Sequence, residues 1–161
     1  MLTIRSTQRS QSRQSDHVRT MVSMNDRLFN IDAARRAEIA QALSEGLGGE
    51  PHVVFAYLHG SFIGVLPFHD IDVAVYLNVE TSEQTRVAVE LADRLSRRVG
   101  YPVDVRALNA APVPFVFRAL QGQPLVSHDD DRLAEVLERT GRLYLDLAPV
   151  LRRATHDAFA S

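Results

Sequence analysis

The sequence predicts an α+β domain, α/β-like in the alternation of its elements, with a small mixed β-sheet flanked by helices. Three observations carry this. Apolar residues recur every three or four positions in some stretches and every second position in others. The two kinds of stretch follow in the order helix, strand, strand, helix, strand, helix, strand, helix. Neither an internal repeat nor an interdomain linker interrupts them. At 161 residues the chain is one domain's worth, and such a chain buries roughly two thirds of its unfolded surface without covalent staples.

Asp32 is the candidate N-cap of the first helix, in which Ile39, Leu43 and Leu47 repeat every four residues until Gly46, Gly48 and Gly49 end it. Residues 52–58 (HVVFAYL) are a nearly continuous apolar run, rich in β-branched and aromatic side chains, as expected of a strand covered on both faces. The run stops at Gly60-Ser61, where a short helix over 61–65 is expected. Residues 70–77 alternate, with Ile71, Val73, Val75 and Leu77 on one face and Asp70, Asp72, Ala74 and Tyr76 on the other. Val87, Leu91, Leu95 and Val99 form the stripe of the next helix, capped by Asn78, Thr81 or Ser82 and stopped by Gly100. Residues 103–108 alternate again and place Asp104 and Arg106 together.

Pro112 and Pro114 suit the first turn of a short helix containing Phe115, Phe117 and Leu120, which Gly122 can close. Residues 124–128 are an edge-strand candidate. Asp129, Asp130 and Asp131 then open a terminal helix anchored by Leu133, Leu137, Tyr144, Leu147 and Leu151, with Gly141 and Pro149 as points of bending or division. Residues 1–25, rich in Ser, Gln, Arg and Thr, are expected to be a mobile tail ahead of one domain over 26–161 with a C-terminal helical segment. Met21 and Met24 stand in or beside that tail as candidate internal starts.

Composition excludes several classes of function. With 18 Lys+Arg against 20 Asp+Glu, the net charge of -2 gives no overall footprint for nucleic acid. The absence of cysteine removes thiol catalysis, CxxC redox chemistry and cysteine zinc sites, and fits a reducing compartment. No apolar stretch approaches the roughly 20 residues of a membrane span, and no signal-peptide core is present. A cytoplasmic protein is expected.

Three carboxylates carry the chemistry. Asp70 and Asp72 lie two apart on one strand and share a face, with Cα atoms about 7 Å apart. From there they can converge on divalent ions about 4 Å apart. Magnesium takes such hard oxygen ligands and bridges them to substrate phosphates. Asp104, on the third strand, can complete the cluster, or can pair with a neighbour such as Arg106. Gly60 and Ser61 end the first strand at a turn that offers free amides and a hydroxyl to phosphate. His59 and His69 flank the motif; either could touch phosphate or accept a proton, but they are read as packing or capping locally.

Gly60-Ser61 followed by Asp70-Ile71-Asp72 in an apolar strand resembles the signature of the polymerase β type nucleotidyltransferase superfamily. Asp104 in VDVRALNAAP is similar to that family's third carboxylate strand, which minimal members follow with Leu-Asn-x-Ala-Pro, here Leu108, Asn109, Ala110, Ala111 and Pro112. Residues 117–146 resemble the helix, strand and long terminal helix of the minimal nucleotidyltransferase (MNT) antitoxins of type VII (HEPN/MNT) toxin–antitoxin systems. The likeness runs over about residues 32–152. It departs in two places: the loop from Ser61 to Asp70 is slightly shorter than in many relatives, and Ile63-Gly64 stand where Arg-Gly is often found.

The resemblance implies a polymerase β type nucleotidyltransferase fold and a metal-dependent transfer of AMP from ATP to a tyrosine hydroxyl of a HEPN-domain toxin. It implies two Mg2+ ions on Asp70 and Asp72, Asp104 on the catalytic ion and assisting deprotonation, and the triphosphate on Gly60 and Ser61. A homo- or hetero-oligomer is compatible with it. Two other readings share the same residues. One is an antitoxin that neutralises its toxin by covering it; the other is an antibiotic nucleotidyltransferase, for which the chain lacks a second substrate domain unless a dimer supplies it.

Overall fold

The Asp32 carboxylate accepts a hydrogen bond from the Arg35 amide at 2.8 Å and starts helix α1, Ala33–Gly48. The computed structural model describes residues 27–159, with side chains through residue 153, so the expected tail over 1–25 lies outside the described residues. Ile39, Ala40, Leu43 and Leu47 are the buried stripe of α1, and Gly49 caps its end. Gly48 is the last residue of the helix, whereas Gly46 lies inside it instead of ending it. At Gly46 a Cβ would press on Leu95 and Arg98, so the missing side chain lets two helices approach closely.

Strand β1 (Val53–His59) is followed by a single 3₁₀ turn, Ser61–Ile63, and by β2 (Ile71–Leu77). Helix α2 (Thr81–Val99) returns the chain to β3 (Val103–Ala107), and α3 (Val113–Ala119) leads to β4 (Gln123–Ser127) and α4 (Asp130–Phe159). The sheet order is β3-β2-β1-β4. β1 pairs antiparallel with β2 and β4, whereas β2 and β3 are parallel, which requires the crossover that α2 supplies. This is the mixed sheet expected from the sequence.

Each face of the sheet has its own apolar layer. Ile71, Val73, Val75, Val103 and Val105 pack with the stripes of α1 and α2. On the other face Phe55, Tyr57 and Ala74 pack with Val116 and Ala119 of α3, and Leu133 and Val136 of α4 lie against them. Among the described residues no helix is long and apolar enough to cross a membrane.

Several local expectations change. Glu80, without a side-chain bond, occupies the N-cap of α2, and Asn78 donates to the Pro51 carbonyl instead. Leu120 ends α3; Gly122 serves a close approach, since a Cβ there would run into the Leu58 carbonyl. Helix α4 runs through Gly141 and Pro149 without division. Its inward stripe is Leu133, Val136, Thr140 and Tyr144, with Tyr144 stacked on Phe117 at 3.8 Å, while Leu137 and Leu147 are exposed.

Asn109 closes the end of β2. Its side chain accepts from the Leu77 amide at 2.9 Å and donates to the Leu77 carbonyl at 2.8 Å, the two bonds a neighbouring strand would make. Asn109→Ala strands both backbone groups and is expected to cost about 1–3 kcal/mol, read as a lower midpoint in urea unfolding.

Candidate active site

The acids gather on the face of the sheet that α3 covers. In the registers of the sheet His59 stands opposite Asp72, and Asp72 opposite Asp104, so the three form one row across β1, β2 and β3. Asp70 lies just before β2, two residues from Asp72, and Arg106 lies two residues further along β3 than Asp104, opposite Ala74. Strand parity puts all of them on one side, because the intervening Ile71, Val73, Val103 and Val105 fill the opposite core. The structure thus places the predicted Asp70, Asp72 and Asp104 on one face of the sheet, with Asp72 and Asp104 as neighbours in the strand register.

Gly60 and Ser61 sit directly on this row. Gly60 has φ 77° and ψ -159°, a conformation open to glycine. A Cβ at Gly60 would collide with Asp72 Oδ2 and lie 2.9 Å from its Cγ. The backbone therefore passes within contact of the central carboxylate, and the exposed Ser61 hydroxyl follows at once. The helix expected over 61–65 is only the turn Ser61–Ile63, because Gly64 leaves it in extended backbone. One turn adds little helix dipole, so any anion here meets individual amides and a hydroxyl.

Charge crowds the row. Burial, then repulsion from Asp70 and Asp104, pushes the Asp72 carboxyl up from 3.8 to about 6, with Arg106 opposing the rise. Asp104 Oδ2 accepts from Arg106 Nε at 2.9 Å, the local pairing that its sequence position allowed. Burial, then the Arg106 charge, lowers the pKa of His59 below its ordinary 6.5 and keeps its ring neutral at pH 7. Its Nε2 is buried with no hydrogen-bond partner among the described residues, and its ring meets the Phe115 ring edge-on at 5.6 Å. His59 is thus part of the row as well as packed on Phe115, while His69 is exposed.

The donor set fits a hard divalent cation: three carboxylates, the central one half-buried and raised in pKa by burial and by its two acidic neighbours. They are not yet a finished cage. Among the described residues no three His, Asp or Glu side chains are gathered closely enough to hold an ion, and Asp104 has given one oxygen to Arg106.

One residue with no local signal supports the site. Arg36 of α1 donates to the Phe62 carbonyl at 2.5 Å and the Leu66 carbonyl at 2.8 Å, and its guanidinium lies over the rings of Phe62 and Phe68. It fastens the loop after Gly60-Ser61 from 26 residues away in the chain. No periodicity or cap reveals such a contact.

The fold has counterparts among solved structures. A chain from the complex of tri-AMPylated Shewanella oneidensis HEPN toxin with MNT antitoxin is 21% identical with a TM-score of 0.53, matching 80% of this chain and 98% of its own. A chain of the toxin–antitoxin pair MntA-HepT is 20% identical with a TM-score of 0.54, over 81% of this chain and all of its own. A chain of a toxin–antitoxin structure with AMP-PNP is 22% identical with a TM-score of 0.58, over 76% and 98%. At these identities the likeness establishes the fold. No curated protein sequence matches the chain. Residues 41–131, which contain the whole sheet and every acid of the row, match the family Polymerase beta, Nucleotidyltransferase, and the chain belongs to that family.

Proposed function

We propose that this chain is an antitoxin that transfers AMP from ATP to a tyrosine hydroxyl of a HEPN-domain toxin, using Asp70, Asp72 and Asp104 as its metal-binding carboxylates. The observation that carries the reading is the contact of Gly60 with Asp72: it sets amides suited to phosphate against acids suited to a cation. Residues 26–161 act as one nucleotidyltransferase domain with the C-terminal helical segment attached. The likeness to toxin-bound MNT chains supports the choice of acceptor, and the neighbour with AMP-PNP supports the donor.

In this mechanism Gly60, Ser61 and the adjoining amides hold the outer phosphates. Asp70, Asp72 and Asp104 would hold the cations, and Asp104 also orients the acceptor hydroxyl and takes its proton. The acceptor oxygen forms a bond to the α-phosphorus as the bond to the bridging oxygen breaks, and pyrophosphate leaves in line. Two Mg2+ ions, when bound, supply charge to the attacking and leaving oxygens. Burial of Asp72 keeps that charge effective by limiting water around it.

Incubation with α-labelled ATP and Mg2+, with and without a HEPN toxin, tests the proposal. Label on a toxin tyrosine, abolished by chelator, is the expected result. A second reading, protection by covering the toxin, is favoured by the exposed apolar side chains of Ile63, Val65 and Leu66 directly after the Gly-Ser turn. Protection without any transferred label would select it.

A further inference from the structure

Arg106 is placed to do more than neutralise a surface acid. Its Nε bond to Asp104 takes up an oxygen the metal site needs, while among the described residues its two terminal nitrogens make no hydrogen bond. Its guanidinium carbon lies 5.8 Å from the centre of the Phe115 ring, so α3 offers a second resting surface beside the ion pair. Asp72 and Asp70 also act on it from the neighbouring strand. The pair is open to water, Arg106 at 62% and Asp104 at 42% side-chain exposure, so it can separate at small cost.

Resting on the metal-site reading above, we propose that Arg106 is a resident counterion of the acidic row, which occupies Asp104 until a nucleoside triphosphate arrives and draws its guanidinium onto phosphate. Guanidinium binds phosphate oxygens through the same fork it offers a carboxylate, so the exchange replaces one charge-assisted pair by another. The released Asp104 then joins Asp70 and Asp72. Cation and nucleotide consequently bind as a unit, and Arg106 supplies a phosphate-directed arginine where Ile63-Gly64 supply none. It is a positioning residue for Asp104 before nucleotide binds and a substrate contact afterwards.

The test is Mn2+ binding to the full chain, followed by electron paramagnetic resonance with and without AMP-PNP. Arg106→Gln is expected to bind Mn2+ alone about tenfold more tightly than the parent, since the Asp104 oxygen held by the guanidinium is then free to meet the ion. The tightening of Mn2+ by AMP-PNP should shrink by a similar factor. In an Asp104→Asn background the same substitution should change Mn2+ affinity little, because the competing pair is already gone. Unchanged Mn2+ affinity in Arg106→Gln, or an equal gain in the Asp104→Asn background, overturns the proposal. Failure of the metal site itself reads differently: Asp72→Asn would then bind Mn2+ as the parent does.

Discussion

Asp72→Asn is expected to lower AMP transfer at least about a hundredfold while leaving the protein folded. Each ~1.4 kcal/mol of lost transition-state stabilisation costs tenfold in rate, and removing one charge from a metal cluster forfeits several kcal/mol. Stability should move the other way. The folded, metal-free protein holds the Asp72 proton up to about pH 6, whereas the unfolded chain releases it near 3.8. Between those values the folded state binds more protons, so the parent loses stability as pH rises through this window and stays lower above it. The asparagine variant has no such loss. At pH 7 it should be more stable by about 1 kcal/mol, after allowing for solvent screening of a half-exposed group, and below about pH 4 the two should coincide. Urea unfolding in chelator at both pH values reads this. Full transfer by the variant would remove Asp72 from the catalytic machinery.

Gly60→Ala should damage both activity and fold. Alanine is strained at φ 77°, ψ -159°, and its methyl would displace the Asp72 carboxylate. Together the two effects are expected to cost about 2–4 kcal/mol of stability and to reduce transfer as far as Asp72→Asn does. The two variants therefore agree in rate and differ in the sign of their stability change. Combining Gly60→Ala with Asp72→Ala relieves the collision but not the backbone strain, so the double variant should recover only part of the loss. Full additivity would show that the methyl and the carboxylate do not meet.

Much of this arrangement is legible in the sequence because it depends on short periods. The alternation of Ile71, Val73, Val75 and Leu77 fixes which way Asp70 and Asp72 face, and the same rule applies to Asp104 and Arg106, which alternate with Val103 and Val105. The Asp32 cap and the stripe of α1 are equally local. What does not show is register across strands. Nothing near His59 says that it faces Asp72, or that Phe115, far along the chain, meets both His59 and Arg106. Arg36 reads as a helix-surface charge until its carbonyl partners are known. The inward stripe of α4 is read correctly at Leu133 and Tyr144 but not at Leu137 and Leu147, because several leucine phases are available and the packing of Tyr144 on Phe117 chooses among them.

The parallel register of β2 and β3 also guards the accuracy of folding. Asp72 lies level with Asp104 because Ile71, Val73 and Val75 lie level with Val103, Val105 and Ala107. Sliding β3 by one residue would turn Asp104 and Arg106 into the layer beneath α1 and α2 and push Val103 and Val105 out to water. A carboxylate has no place among those valines and leucines. The acids that repel one another in the correct alignment thus make the nearest wrong alignment far worse, and the chain has one way to close its sheet.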